Sequence, residues 1–422
     1  MEFVEEKSSK FVISGQKKLE GKIEIDKAKN AILPIMAATI LCEDAIYLEN
    51  VPNLSDVHKM NDIITALGGK AKWENNSIVI NNQSVNKFEI PPHLAHEIRS
   101  SIFMLGPILA KHKTARVAYP GGCDIGSRPI DLHLAGLKDL NVKITEEHGF
   151  INCDGKHMKN GLVHLDYPSV GATENIMMAS VFLRGETTIL NAAKEPEIVD
   201  LQDFINSMGG KISGAGTSTI KIKGVKKLHG TSYSAMPDRI VTGTFLIAVA
   251  MTGGKALLEN CNFEHVYSLI TKLRNSGCKI DYESDRIFVE AKYRPLTCPS
   301  VETQPYPGFP TDLQAQFLAL QTVSDGICVV TENLFETRFK HVPELLKMGA
   351  KITTRDRMAI VRGGKLFGAN VVAQDLRGGA ALILAGLAAK GKTEVSGIHY
   401  VDRGYDHIEN KLLALGADIK RI

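Results

Sequence analysis

Residues 200–212 read DLQDFINSMGGKI. Leu201, Phe204, Ile205 and Met208 recur at helical spacing, so Asp200 to Met208 predicts an amphipathic helix. Gly209 can take the left-handed conformation that ends a helix, and Lys211-Ile212 opens an alternating strand with one buried face. The same phrase returns at Leu67-Gly68-Gly69-Lys70, Leu140-Asn141-Val142-Lys143-Ile144, Ser276-Gly277-Cys278-Lys279-Ile280, Met348-Gly349-Ala350-Lys351-Ile352 and Leu415-Gly416-Ala417-Asp418-Ile419. Between Gly68, Asn141, Gly209, Gly277, Gly349 and Gly416 the spacings are 73, 68, 68, 72 and 67 residues. Six copies of one supersecondary unit of about 70 residues fill the chain, too long for the common solenoids.

Each copy also opens alike, with a polar residue before an apolar helix. Lys29-Asn30 precedes AILPIMAATIL, Arg99 precedes SSIFMLGPILA, and Gly171-Ala172-Thr173 precedes ENIMMASVFL. Asp238-Arg239 precedes IVTGTFLIAVA, Asp312 precedes LQAQFLALQTV, and Asp375-Leu376-Arg377 precedes GGAALILAGLAA. Helices this apolar on all sides should be buried, while the second helix of each copy should lie nearer the surface. Short apolar runs such as TTIL (187–190) and ICVV (327–330) predict strands of covered sheets. We read two α/β domains of three repeats each, with a junction near Lys226 to Ser232.

At 422 residues the chain can hold two full cores. Its hydrophobic content of 44% and charged content of 23% are ordinary for a globular protein, and a net charge of +3 gives no reason to expect nucleic acid or an anionic membrane as partner. The N-terminal MEFVEEKSSK lacks the apolar core of a signal peptide, and the apolar run Ala380 to Ala389 is too short to span a bilayer. Seven cysteines without CxxC spacing argue against a disulfide framework and against a zinc site, and point to a cytoplasmic protein.

One stretch stands apart from the repeats: YPGGCDIGSRPIDLH, Tyr119 to His133. Its glycines and prolines predict a surface loop presenting Cys123, with Arg128, Asp131 and His133 close behind. A thiol near a fixed cation can serve as nucleophile or proton donor. A glycine-rich turn carrying an incidental cysteine fits the same residues, and His133 reads as structural. Other cysteines, such as Cys42 and Cys278, sit in apolar surroundings and read as core residues.

Polar residues also gather at helix starts: Lys29, Asn30, Arg99, Asp312, Asp375 and Arg377, with Arg128 and Arg403 in neighbouring loops. Helix N-termini suit phosphate and carboxylate ligands, and arginine grips both through two donors. If these starts converge on a cleft between the domains, the site would bind a polyanion. The alternative for Asp312 is a plain N-cap, and for the cations a place at the solvated surface. Glu302 and Glu336 read as rim charges.

Taken together, the motifs resemble the family of UDP-N-acetylglucosamine 1-carboxyvinyltransferases (enolpyruvyl transferases, MurA) of bacterial cell-wall synthesis. The matching phrases run in order: DKAKNAILPIMAATIL (26–41), RSSIFMLGP (99–107), PGGCDIGSRPIDLH (120–133), PSVGATENIMMAS (168–180), AAKEPEIVDLQDFINSMGGKISGAGT (192–217) and FPTDLQAQF (309–317). They continue with ENLFETRFKHVPELLKMGA (332–350), DLRGGAALILAGL (375–387) and VDRGYDHIENKLLALGA (401–417), so the resemblance covers nearly the whole chain.

The resemblance implies two inside-out α/β domains, residues 22–229 and residues 1–21 with 230–422, with a strand around residues 10–20 completing the second. It implies transfer of the enolpyruvyl group of phosphoenolpyruvate to the 3′-hydroxyl of UDP-N-acetylglucosamine, through a tetrahedral ketal, with release of phosphate. Lys29, Arg128 and Arg403 would hold phosphoenolpyruvate, Cys123 would protonate its methylene carbon and can form a covalent adduct with it, and Asn30 would stabilise the intermediate. Asp312 would orient or deprotonate the sugar hydroxyl, while Arg99, Arg338, Asp375 and Arg377 complete the polar surroundings. Arg128, Pro129, Ile130, Asp131, Leu132, Ser169, Val170 and Leu334 would contact the nucleotide sugar. No metal or organic cofactor is called for, and a monomer or weak homo-oligomer is expected. Cys123 also implies alkylation by fosfomycin. Where some relatives carry a lysine, this chain has Tyr167, which puts one nucleotide-phosphate contact in doubt. A 3-phosphoshikimate transferase and a non-catalytic UDP-sugar-binding paralogue are the alternatives; the first gives no reason for the cysteine loop, and the second predicts loss of the site residues, which are present.

Overall fold

The computed structural model describes residues 9–121, 130–291, 297 and 299–422. Among these, the chain forms two compact units, one running from Lys27 to Met236 and the other combining residues up to Asp26 with Pro237–Ile422. Each holds three small sheets, one per repeat.

The repeat is clearest around the helix Arg239–Thr252 in the second unit. Asp238 caps that helix, its Oδ1 accepting from the Ile240 and Val241 amides at 2.7 and 2.9 Å. All but one of its residues are buried. Gly253 ends it at φ +72°, and the strand Lys255–Glu259 follows. A second helix, Tyr267–Asn275, then leads to the antiparallel hairpin Lys279–Glu283 and Arg286–Glu290. The sheet is closed by a parallel strand from elsewhere, Glu20–Glu24 beside Lys255–Glu259. Alternation along Arg286–Glu290 buries Ile287 and Val289, so each sheet turns one face to the helices.

The same plan repeats around Gln314–Thr322, with Ile327–Thr331 at the sheet centre, and around Leu376–Ala388, with Lys392–Ser396 there. These three apolar helices pack on one another as the unit's core. In the last sheet the strand between Lys392–Ser396 and Asp418–Arg421 comes from elsewhere in the sequence. Phe11–Ser14 takes that place, antiparallel to both Lys392–Ser396 and Asp418–Arg421.

The first unit follows the same plan with helices Lys29–Ala38, Leu105–His112 and Val170–Ser180. All six helix-ending positions read from the sequence have positive φ: Gly68 (+102°), Asn141 (+63°), Gly209 (+94°), Gly277 (+92°), Gly349 (+87°) and Gly416 (+85°). The helix expected over 100–110 is split into a 3₁₀ segment Arg99–Met104 and the α-helix Leu105–His112. The Gly106 amide bonds to the Asn175 side chain at 2.8 Å instead of a helical carbonyl, and Pro107 has no amide hydrogen. A Cβ on Gly106 would lie 2.4 Å from the Asn175 carbonyl, so only glycine permits this approach.

The division falls at 26/27 and 236/237, a few residues after the 21/22 and 229/230 expected from sequence. Two sets of interactions place it there. Residues 20–26 are held in the second unit by strand pairing and by Lys411, whose Nζ lies 2.9 Å from Asp26 Oδ1. Residues 232–236 are held in the first, where Ser232–Ser234 pairs with Ile46–Glu49 and Asp200 accepts from the Tyr233 hydroxyl and the Met236 amide. Among the described residues no helix is long and apolar enough to cross a membrane.

Candidate active site

In the second unit, three of the expected residues meet. Asp312 lies in the 3₁₀ turn Thr311–Leu313. Its Oδ1 accepts from Arg338 Nη2 at 2.7 Å and its Oδ2 from Arg377 Nη2 at 2.9 Å. Both arginine side chains are only 3% exposed, whereas Asp312 is 26% exposed. The N-cap alternative for Asp312 therefore fails: Pro310 and Leu313 occupy the cap positions and neither helix start has a side-chain cap. Asp375 does cap, its Oδ1 accepting from the Arg377 and Gly378 amides at 3.0 and 2.9 Å. Capping places Arg377 at the first turn of a buried helix, aimed at Asp312.

Burial works against the Arg377 charge, but the Asp312 carboxylate, with Tyr405 and Asp238, more than offsets it and raises the pKa above its ordinary value. Among the described residues, Arg377 Nε and Nη1 and Arg338 Nε have no hydrogen-bond partner, so donor capacity remains beside Asp312. The Arg377 guanidinium faces the Tyr405 ring at 5.5 Å. Behind it, Gln316 Nε2 reaches the Tyr405 hydroxyl, Thr244 Oγ1 and the Asp312 carbonyl at 3.1, 3.2 and 3.0 Å. Burial, against Asp375 and with Arg338, pushes His341 down to about 4, so it is neutral at pH 7. Arg403 ends the 3₁₀ segment Ile398–Arg403, and Leu334 lies half-buried after Glu332.

In the first unit, Lys29 and Asn30 open the buried helix Lys29–Ala38. Lys29 Nζ lies 2.9 Å from Asp56 Oδ2, with the two side chains 13% and 3% exposed, so the solvated-surface alternative fails for this lysine. Arg99 Nη1 reaches the Pro120 carbonyl at 3.4 Å, at the edge of the cysteine loop. Ile130 is buried, Asp131 begins the helix Asp131–Asp139 and is exposed, and Leu132 is half-buried. Ser169 caps Val170–Ser180 through the Ala172 amide, and Tyr167 is exposed. His133 is structural: its Nδ1 meets Asn175 Nδ2 at 2.8 Å within the core. Cys123, Arg128 and Pro129 lie outside the described residues.

The described cysteines, Cys42, Cys153, Cys261, Cys278 and Cys328, are buried and form no disulfide. Burial pushes Cys153 and Cys261 up to about 12 and Cys278 up to about 11, which makes them poor nucleophiles. Among the described residues, no group of three His, Cys, Asp or Glu side chains is placed to hold a metal ion.

Sequence reasoning missed Asp56, Tyr405, Gln316 and Glu332. Asp56 reads as an ordinary first-turn acid of the helix Ser55–Ala66. Nothing local aims it at Lys29.

The family model for EPSP synthase (3-phosphoshikimate 1-carboxyvinyltransferase) matches residues 13–412. Two proteins of Caldanaerobacter subterraneus subsp. tengcongensis, UDP-N-acetylglucosamine 1-carboxyvinyltransferases 2 and 1, are 50% and 48% identical to this chain, each match covering 98% of it and 99% of the relative. In fold, the chain is similar to the enolpyruvyl transferase NikO from Streptomyces tendae, with a TM-score of 0.87 at 22% identity over 98% of this chain and 99% of that one. The chain belongs to the EPSP synthase family of enolpyruvyl transferases, among its UDP-N-acetylglucosamine 1-carboxyvinyltransferases.

Proposed function

We propose that this protein transfers the enolpyruvyl group of phosphoenolpyruvate to the 3′-hydroxyl of UDP-N-acetylglucosamine and releases phosphate, the first committed step of peptidoglycan synthesis. The observation that carries the reading is Asp312 held between two buried arginines in a chain half identical to transferases of that name. A carboxylate fixed in this way keeps lone pairs for a sugar hydroxyl. The arginines supply fixed positive charge for anionic substrates.

In the reaction, the sugar hydroxyl oxygen adds to the central carbon of phosphoenolpyruvate while a proton goes to its methylene carbon. Loss of phosphate and of one methyl proton then restores the double bond. Asp312 orients the hydroxyl or takes its proton, and Cys123 delivers the proton to carbon. Lys29, Arg128 and Arg403 hold the phosphate and carboxylate, with Asn30 at the intermediate. Arg99, Arg338, Asp375 and Arg377 complete the polar surroundings, and residues 128–132, 169–170 and Leu334 contact the nucleotide sugar. Among the described residues, buried cysteines outside any disulfide fit a reducing, cytoplasmic setting.

The test is phosphate release with phosphoenolpyruvate and UDP-N-acetylglucosamine, run beside shikimate 3-phosphate and beside Cys123→Ala. Release that requires UDP-N-acetylglucosamine and collapses in the variant is expected. Release only with shikimate 3-phosphate, or UDP-sugar binding without release, would overturn the assignment.

A further inference from the structure

Glu332 follows the strand Ile327–Thr331 and is fully buried. Its carboxylate ties three chain segments together. Oε1 accepts from Thr303 Oγ1 at 2.9 Å and from the Leu334 and Phe335 amides at 2.8 and 3.2 Å. Oε2 accepts from Thr311 Oγ1 at 2.8 Å. Its own amide is anchored to the Arg357 carbonyl at 2.8 Å.

Thr311 immediately precedes Asp312, and its carbonyl accepts from Arg338 Nη2 at 3.3 Å, the same nitrogen that binds Asp312. Phe335 lies under the Arg338 guanidinium, 5.7 Å from ring centre to guanidinium carbon. One oxygen of Glu332 thus holds the Asp312 segment, and the other holds the Leu334 segment. A carboxylate suits this place because four donors converge on it, and an apolar side chain would leave them buried and unpaired.

We propose that Glu332 is a positioning residue that sets Asp312 relative to Leu334, and so aligns the sugar hydroxyl with the group that activates it. The inference rests on the assigned transfer to UDP-N-acetylglucosamine. Thr311→Val keeps the side-chain shape and removes only the Oε2 bond. Misplacement of a reacting group by an ångström costs up to about 100-fold in rate, so kcat should fall about tenfold, with the KM for UDP-N-acetylglucosamine changed less than twofold. Glu332→Gln can keep its oxygen on the backbone amides and donate its NH₂ to Thr311 Oγ1, and should stay within about threefold of the parent kcat.

Steady-state phosphate release on the three proteins, with melting temperatures alongside, decides the matter. A kcat loss confined to Thr311→Val at 25 °C, where all three are folded, is the expected result. Unchanged kcat in Thr311→Val, or losses that only follow the melting temperatures, would reduce Glu332 to a loop brace and overturn the inference alone. No release from the parent protein would overturn the assigned reaction and this inference with it.

Discussion

Asp312→Asn tests the centre of the site through both stability and rate. The carboxylate accepts one charge-assisted hydrogen bond on each oxygen, at 2.7 and 2.9 Å, from guanidiniums only 3% exposed. Asparagine keeps one acceptor and turns an NH₂ toward the other arginine, so one bond is lost, the other weakens, and two buried cations lose their counter-charge. Removing one partner of a buried ion pair costs about 3–5 kcal/mol. Asp312 is 26% exposed, and water reaching that side places the cost near the low end, about 3 kcal/mol. In a unit of this size that lowers its melting temperature by about 6–12 °C. If Asp312 also acts as the base, kcat should fall by about 100-fold to 10,000-fold at a temperature where the variant is still folded. Calorimetry and phosphate release on one preparation give both numbers. A melting temperature within 2 °C of the parent, on the same scale of about 2–4 °C per kcal/mol, would refute the ion-pair reasoning. A variant keeping more than about a tenth of the parent kcat would remove Asp312 from the chemistry.

Asp56→Asn removes the carboxylate charge 2.9 Å from Lys29 Nζ, and kcat/KM for phosphoenolpyruvate should drop about tenfold, as for a misplaced substrate clamp; an unchanged value would show that Asp56 does not position Lys29. Glu174 is fully buried with neither carboxylate oxygen partnered among the described residues, and burial, then Glu197 and Glu195, push its pKa well above the ordinary range. An acid with a raised folded pKa binds more protons folded than unfolded, so stability falls as pH rises from its unfolded value toward the folded one. Glu174→Gln should therefore gain stability over the parent at pH 8 and lose that advantage near pH 4, where both forms are neutral; a gain in urea midpoint that is constant with pH would contradict this. At Gly416 an added Cβ meets nothing within 4 Å, so Gly416→Ala carries only the left-handed backbone cost of about 1–2 kcal/mol. Gly416→Asn should cost less, as Asn141 already serves at the equivalent position, and equal urea midpoints for the two variants would argue against a backbone origin.

The repeats were legible because their signals are local. A helix period, a left-handed stop and an alternating strand occupy neighbouring residues, and six copies reinforce one another from Gly68 to Gly416. That a strand around residues 10–20 completes the second domain came only from the family resemblance, and its place in the last sheet only from the structure, since no local pattern pairs Phe11–Ser14 with strands as distant in sequence as Lys392–Ser396 and Asp418–Arg421. The break between Arg99–Met104 and Leu105–His112 was not legible, because it depends on Asn175, 69 residues from Gly106.

Asp312-Leu313 and Asp375-Leu376 look alike in sequence, each an aspartate at the start of an apolar helix. Sequence alone determined that both are helix starts and that charge gathers there. Only the tertiary structure decided that Asp375 caps its helix while Asp312 binds two arginines. The physical reason is competition for the carboxylate. Amides at positions two and three residues after Asp375 point back at it. Asp312 sits instead within a 3₁₀ turn, where guanidiniums from 26 and 65 residues away reach it with stronger, charge-assisted bonds.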